Sequence, residues 1–252
     1  MNNRLSRRVA ASARPARIKA ERKIPEAARP ATLGIAEDKQ LRLADQAYII
    51  LEEMIVTLKL APGSVVSESI LSDAVGIGRT PVREALQRLA HDKLVVIHPA
   101  RGIFISEINV KTQLRLLETR RVLESLIASS AARRATEAER SWFLDTADQM
   151  QKSARTNDQL AFLRLDREFN AMAAFAARNE FSEAAIAPLQ ALSRRFWFMH
   201  HKGSAELRIA ARQHADIAKA IAAKDEEAAK IASECVVSYL ETFTRASLSL
   251  ES

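Results

Sequence analysis

The apolar positions change rhythm along this chain. From about Leu41 to Leu60 they follow a helical period, and Pro62-Gly63 stops the helix. Leu71, Ala74 and Val75 fall on one side of a short amphipathic helix, capped by Ser67 and closed at Gly76. A third short helix is expected next. Thr80 is its expected cap, and Pro81 sits in its first turn, where a missing N–H costs nothing. The pattern then shifts to β-branched runs. Leu94-Val95-Val96-Ile97-His98 and Ile103-Phe104-Ile105 read as strands, joined through a turn at Pro99-Ala100-Arg101-Gly102. Three helices and a two-stranded ribbon are the parts of a winged helix-turn-helix.

Beyond residue 106 the turn formers nearly vanish. Residues 107–252 hold one glycine, Gly203, and one proline, Pro188, amid Ala, Leu, Glu and Arg. Such a stretch predicts an all-helical bundle. Asn109 opens a helix to about Arg134, and Thr136-Glu137-Ala138-Glu139 is a capping box that starts the next. Further helices fit 157–178, 182–201, 205–223 and 226–247, with Asn179, Gly203 and Asp225 as stops or caps. The expected fold is mainly α. It divides into a basic tail over 1–40, a winged helix-turn-helix over 41–106 and an all-α effector-binding and dimerisation bundle over 107–252.

Composition narrows the class. No run of about 18 apolar residues occurs, so a membrane-spanning helix is not expected. The single Cys235 offers no intrachain disulfide, which fits a reducing cytoplasm. The net charge of +7 is unevenly spread. Residues 1–40 hold ten Lys/Arg and four Asp/Glu, so the other 212 residues carry a single surplus positive charge. The tail reads as a disordered extension, the alternative being an accessory arm that adds salt-dependent DNA affinity. Within 79–101 five basic residues still face two acidic ones, which leaves a local basic surface.

The chemistry concentrates at Gly76-Ile77-Gly78-Arg79-Thr80-Pro81-Val82-Arg83-Glu84-Ala85-Leu86. Arg79 and Arg83 are four apart and share one face near a helix start. Their planar forks suit guanine edges or phosphate in a major groove. The run from Arg79 to Leu86, with Leu94-Val95 and the turn ending Arg101-Gly102, resembles the DNA-binding domain of the GntR family of bacterial transcription regulators. Gly78 departs from that family, which usually has Ser or Thr there. The resemblance implies base or phosphate contacts by Arg79 and Arg83, and a phosphate contact by Thr80. It also implies a minor-groove contact by Arg101, with Gly102 allowing close backbone approach. A homodimer on an inverted-repeat operator in double-stranded DNA is expected, because one such helix reads too few base pairs. Arg88 is read as a surface residue pairing Glu84 one turn back.

The second half resembles the effector domain of the FadR subfamily, the FCD type. The resemblance rests on Thr119-Arg120-Arg121-Val122-Leu123-Glu124, Asp166-Arg167-Glu168-Phe169-Asn170, Asn179-Glu180, His214 and Ala220 to Asp225. In that subfamily an Asp, a His one turn later and two further His often hold a divalent metal. Asp166 and His214 match two of those positions here, but the others carry Asn170 and Val236, an incomplete set for a first-row metal. No cofactor is certain, and a metal on Asp166 and His214 is the disfavoured option. A small organic acid or similar metabolite is the expected effector. Arg120, Arg194 and Arg195 would clamp its carboxylate, and Asp166, Asn170 and His214 would orient its polar groups. No nucleophile elbow, HExxH motif or Gly-rich phosphate loop suggests an enzyme. The expected function is a sequence-specific transcription regulator, a metabolite-responsive repressor. The alternatives are a non-specific structural DNA-binding protein and a metal-dependent helical domain.

Overall fold

The computed structural model describes residues 42–201 and 203–248; the reading of residues 1–40 as a tail lies outside them. The N-terminal unit comprises α1 (Leu43–Val56), β1 (Val65–Val66), α2 (Glu68–Val75), α3 (Arg79–His91), β2 (Val95–His98) and β3 (Gly102–Ile105). Leu51, Ile55, Leu71, Val82, Leu86, Leu89, Leu94, Ile103 and Ile105 form its core. The bundle follows as α4 (Val110–Arg134), α5 (Glu137–Arg155), α6 (Gln159–Ala176), α7 (Glu180–His200), α8 (Ser204–Ala222) and α9 (Glu226–Leu248). Within it α4 packs on α9, α7 and α6, and α5 packs on α8 and α6.

Three local expectations are corrected. First, α1 ends at Val56 and not near Leu60. Leu58 turns left-handed at φ 60°, and the Leu60 N–H bonds back to the Met54 carbonyl at 3.0 Å. Second, the wing has three strands in the order β1-β3-β2, all antiparallel. Val65 pairs with Phe104 and Val66 with Ile103. A two-residue strand between the Pro62-Gly63 turn and the Ser67 cap is too short for alternation to be read. Third, α3 starts one residue before Thr80, and its N-cap is Gly78 (φ −60°, ψ 158°), which makes no side-chain cap bond. Pro81 therefore occupies the third helical position, where its missing N–H is still one of the helix's orphan donors.

Other local signals act as written in the sequence. The Ser67 hydroxyl accepts from the Ile70 N–H at 3.2 Å, and Gly76 closes α2 in the left-handed region at φ 69°. Asn109 caps α4 through the Thr112 N–H at 3.0 Å. Both halves of the Thr136–Glu139 capping box form.

The two units share side chains. Val56 of α1 is buried in the bundle core, and Ala191 of α7 is buried in the winged core. Glu53 of α1 accepts from Arg164 of α6 at 2.7 and 2.8 Å. Glu52, one residue earlier, is buried and accepts from Arg194 of α7.

Candidate nucleic-acid interface and effector cavity

The first turn of α3 and the wing tip lie in the open. Arg79, Thr80, Arg83 and Arg101 are all exposed. Because Gly78 offers no cap, the Thr80 hydroxyl and the first N–H groups of α3 form a donor-rich helix start suited to an anion. The Arg79 Nη2 donates to Ser69 Oγ at 3.2 Å. Arg83 is more firmly held. Its Nε donates to Glu68 Oε1 at 3.0 Å and to Oε2 at 3.2 Å, and its Nη2 donates to Oε2 at 2.7 Å. Those hydrogen bonds hold the Glu68 carboxyl below its usual range. Glu68 grips the side of the guanidinium, so the end-on fork of Nη1 and Nη2 still points outward.

At the wing tip Ala100 is left-handed at φ 61° and the Arg101 N–H bonds to the His98 carbonyl at 3.1 Å. Gly102 answers first to its own sheet. Its φ is 99°, and an added Cβ would lie 3.0 Å from the Val66 carbonyl oxygen. Arg88 does not pair with Glu84 as expected. It donates to Asp45 at 2.7 Å and lies over the Tyr48 ring at 4.4 Å, so it ties α3 to α1. The Tyr48 hydroxyl donates to Asp92 at 2.7 Å, and burial pushes its pKa up.

The bundle encloses a cavity of about 520 Å³, part of it open to solvent. Arg120 of α4, Asp166 and Asn170 of α6, Arg194 of α7 and His214 of α8 line it together. Five side chains from four helices thus meet because α4, α6, α7 and α8 converge there. The His214 Nε2 lies 3.0 Å from Asp166 Oδ1, and His214 Nδ1 lies 2.8 Å from the Ala210 carbonyl oxygen. Burial works against both charges of that pair, yet the contact prevails: the Asp166 pKa is lowered and the His214 pKa raised. Arg120 donates to Glu124 through Nε at 2.9 Å, both side chains being buried. Burial also opposes the Arg194 charge, and Glu52 and Asp166 more than offset it.

Arg195 does not join this set. Adjacent helix positions diverge by about 100°, so Arg195 points away from the cavity that Arg194 lines. Its Nη2 donates to the Ser106 carbonyl at 2.5 Å, just after β3. Burial pulls its pKa down to about 10.

The sequence reading missed other lining residues. Gln190 and Trp197 share a face of α7 with the expected Arg194, at spacings of four and three, a periodic signal that was available. Gln213 and Tyr239 carried no such signal. The Trp197 Nε1, Gln213 Oε1, Tyr239 Oη and Asp166 Oδ2 atoms are buried with no hydrogen-bond partner, and all four residues line the cavity. Burial pushes the Tyr239 phenol up, an effect opposed by the nearby Trp197 N–H.

The donors do not fit a first-row metal. Asn170 turns its amide nitrogen to the Asp166 carbonyl at 2.8 Å, and Val236 lines the wall where a further ligand is needed. Asp166 Oδ1 is already engaged by His214. Among the described residues no group of three or more His, Cys, Asp or Glu gathers for a metal.

Residues 43–105 match the family described as bacterial regulatory proteins, gntR family, and residues 115–238 match the FCD domain. The chain is 30% identical over 184 residues to the HTH-type transcriptional repressor RspR of Escherichia coli, covering 73% of this chain and 80% of that protein. It is 26% identical over 174 residues to the Nta operon transcriptional regulator of Aminobacter aminovorans, covering 69% and 81%. Among solved structures, E. coli McbR/YncC superposes with a TM-score of 0.67 at 19% identity, covering 84% of this chain and 97% of that one. A regulator from Rhodococcus superposes at 0.63 with 21% identity, covering 81% and 97%. These two likenesses show the fold.

Proposed function

The chain belongs to the gntR family of bacterial regulatory proteins and is a DNA-binding transcription regulator, not an enzyme; from that premise we propose that it reads an inverted-repeat operator as a homodimer and answers a small metabolite held in the bundle cavity. The observation that carries the first part is the exposed Arg79–Arg83 face at the start of α3, beside an exposed wing arginine. Arg83 reads a base edge with its end-on fork, and Arg79 reads a base or phosphate. The Thr80 hydroxyl bonds phosphate at the helix start. Arg101 enters the adjacent minor groove, and Gly102 keeps the wing backbone close to β1.

FCD domains bind small-molecule effectors. The effector set supported by the geometry is Arg120, Asp166, Asn170, Arg194 and His214, with Trp197, Gln213 and Tyr239 added. A metabolite there shifts the balance between two arrangements of the winged unit on the bundle, and so changes DNA affinity by its coupling factor. The output is read as repression, after the relative named a transcriptional repressor, and that metabolite relieves it in the cytoplasm.

Selection from random duplexes with the purified full-length chain tests the reading. The expected product is a two-fold symmetric site, bound 10³-fold or more above scrambled DNA, a typical specificity ratio. Equal affinity for every duplex would instead mark a non-specific binder.

A further inference from the structure

Two spaces meet at a shared wall. A smaller crevice between α1, α6 and α7, lined by Ile49, Glu52, Val56 and Leu160, adjoins the effector cavity. Arg194 and Leu163 line both spaces. Arg194 therefore stands in the wall between the cavity and the seam joining the two units. Its Nη2 donates to Glu52 of α1, and its Nη1 stands 3.7 Å from Asp166 Oδ2 on the cavity side. The Arg194 side chain is 10% exposed and Glu52 5%, so water screens their pair little.

The charges around the cavity are already matched. Arg120 has Glu124, Arg194 has Glu52, and His214 shares a hydrogen bond with Asp166. Whether that imidazole is charged or neutral, the set holds no surplus cation for an incoming anion. Burying an unmatched carboxylate is strongly unfavourable. An anion must therefore take a guanidinium from a carboxylate that already holds it. Glu124 cannot withdraw far, because it sits one turn from Arg120 on the same helix. Glu52 belongs to the other unit and withdraws whenever α1 shifts from α7.

We propose that the cavity accepts a small carboxylate whose charged end competes with Glu52 for Arg194, so that occupancy and the docking of α1 on α7 exclude one another. The inference rests on the reading of the cavity as the effector site. The partnerless Gln213 oxygen, in the same wall as the adjacent Trp197 N–H and Tyr239 hydroxyl, favours a polar body on that carboxylate, one that donates to Gln213. Reciprocity follows from linkage: whatever removes Glu52 from Arg194 raises anion affinity, and the anion loosens the seam. The contact thus turns ligand binding into freedom of the winged unit with no intermediate relay.

The test uses acetate, the smallest probe of the class, with acetamide as its neutral twin. Full-length protein carries Trp142→Phe, which leaves Trp197 as the one tryptophan of the chain. Fluorescence and thermal shift are followed for this background, Glu52→Gln and Arg194→Gln. Glu52→Gln should bind acetate at least tenfold more tightly than the background, Arg194→Gln should lose the response, and acetamide should not distinguish the three. Acetate should also change affinity for a selected operator in the background, and by less than twofold in Glu52→Gln. Should Arg194→Gln not fold, Arg194→Lys serves, with acetate affinity expected at least threefold weaker. Equal acetate affinity in the background and Glu52→Gln, with Arg194 still required, overturns the competition and leaves the cavity reading standing. Acetate effects that survive Arg194→Gln and leave Trp197 emission unmoved overturn the cavity reading too. No response to acetate in any variant overturns the carboxylate class.

Discussion

Glu68 offers the sharpest test of how the recognition helix reads DNA. Its carboxylate holds Arg83 by three contacts of 2.7–3.2 Å and leaves the end-on fork facing out. Ordering a free arginine at an interface costs roughly two- to tenfold in affinity, and a guanidinium already fixed avoids much of that cost. The same carboxylate repels phosphate on every duplex. Glu68→Gln should therefore raise affinity for scrambled DNA while operator affinity stays level or falls, so the specificity ratio drops about two- to tenfold. The fold should be unaffected, since an exposed ion pair contributes little to stability. Fluorescence anisotropy on selected and scrambled duplexes at one salt concentration reads the ratio. Arg83→Ala should itself cost about 5- to 150-fold on the operator, the range of one bidentate base contact. On that background Glu68→Gln should have no further effect on the ratio. A ratio unchanged by Glu68→Gln, or lowered equally with and without Arg83, would refute the reasoning.

Four other outcomes are expected. Arg101→Ala should weaken operator binding and erase any preference for A·T pairs beside each half-site, because narrow A·T minor grooves attract arginine; binding to operators with G·C pairs substituted there is the check. Gly78→Ser should stabilise the protein by a few tenths of a kcal/mol in denaturant titration, since a hydroxyl cap replaces glycine at an unstrained φ of −60° with open space around it. His214→Ala should abolish the effector response and leave operator affinity unchanged; a normal response would move the site elsewhere. The Asp166–His214 pair should stabilise the fold most between about pH 4 and 6.5, above the ordinary value of the carboxylate and below that of the imidazole. That stabilisation should fade as pH rises through the raised His214 value or falls through the lowered Asp166 value. A Tm difference between wild type and His214→Gln that does not shrink with alkaline pH would count against it.

The elements set by local chemistry were readable from the chain. Ser67, Asn109 and the Thr136–Glu139 box cap helices through atoms three residues away, and a run of Val and Ile marks a strand wherever it folds. The exposed Arg79–Arg83 face was legible for the same reason, because i, i+4 spacing fixes a shared face before any tertiary contact forms. The end of α1 and the cap of α3 were misread locally, and two further errors arose where a longer-range contact decides. The strand β1 exists only because β3 lies beside it, and Arg88 points at Asp45 across 43 residues and not at Glu84 one turn away.

By itself, the sequence determined a winged helix-turn-helix, a helical bundle behind it and the two arginines that share an exposed face at the start of α3, all properties of spacing along the backbone. Only the tertiary structure decided which polar groups share the cavity and which charges they already carry as partners. It parted Arg194 from its neighbour Arg195, gave the first a carboxylate from α1 and left the second outside the cavity. The physical reason is that a buried charge takes its meaning from what surrounds it within a few ångströms, and in this bundle those neighbours come from four or more separate helices.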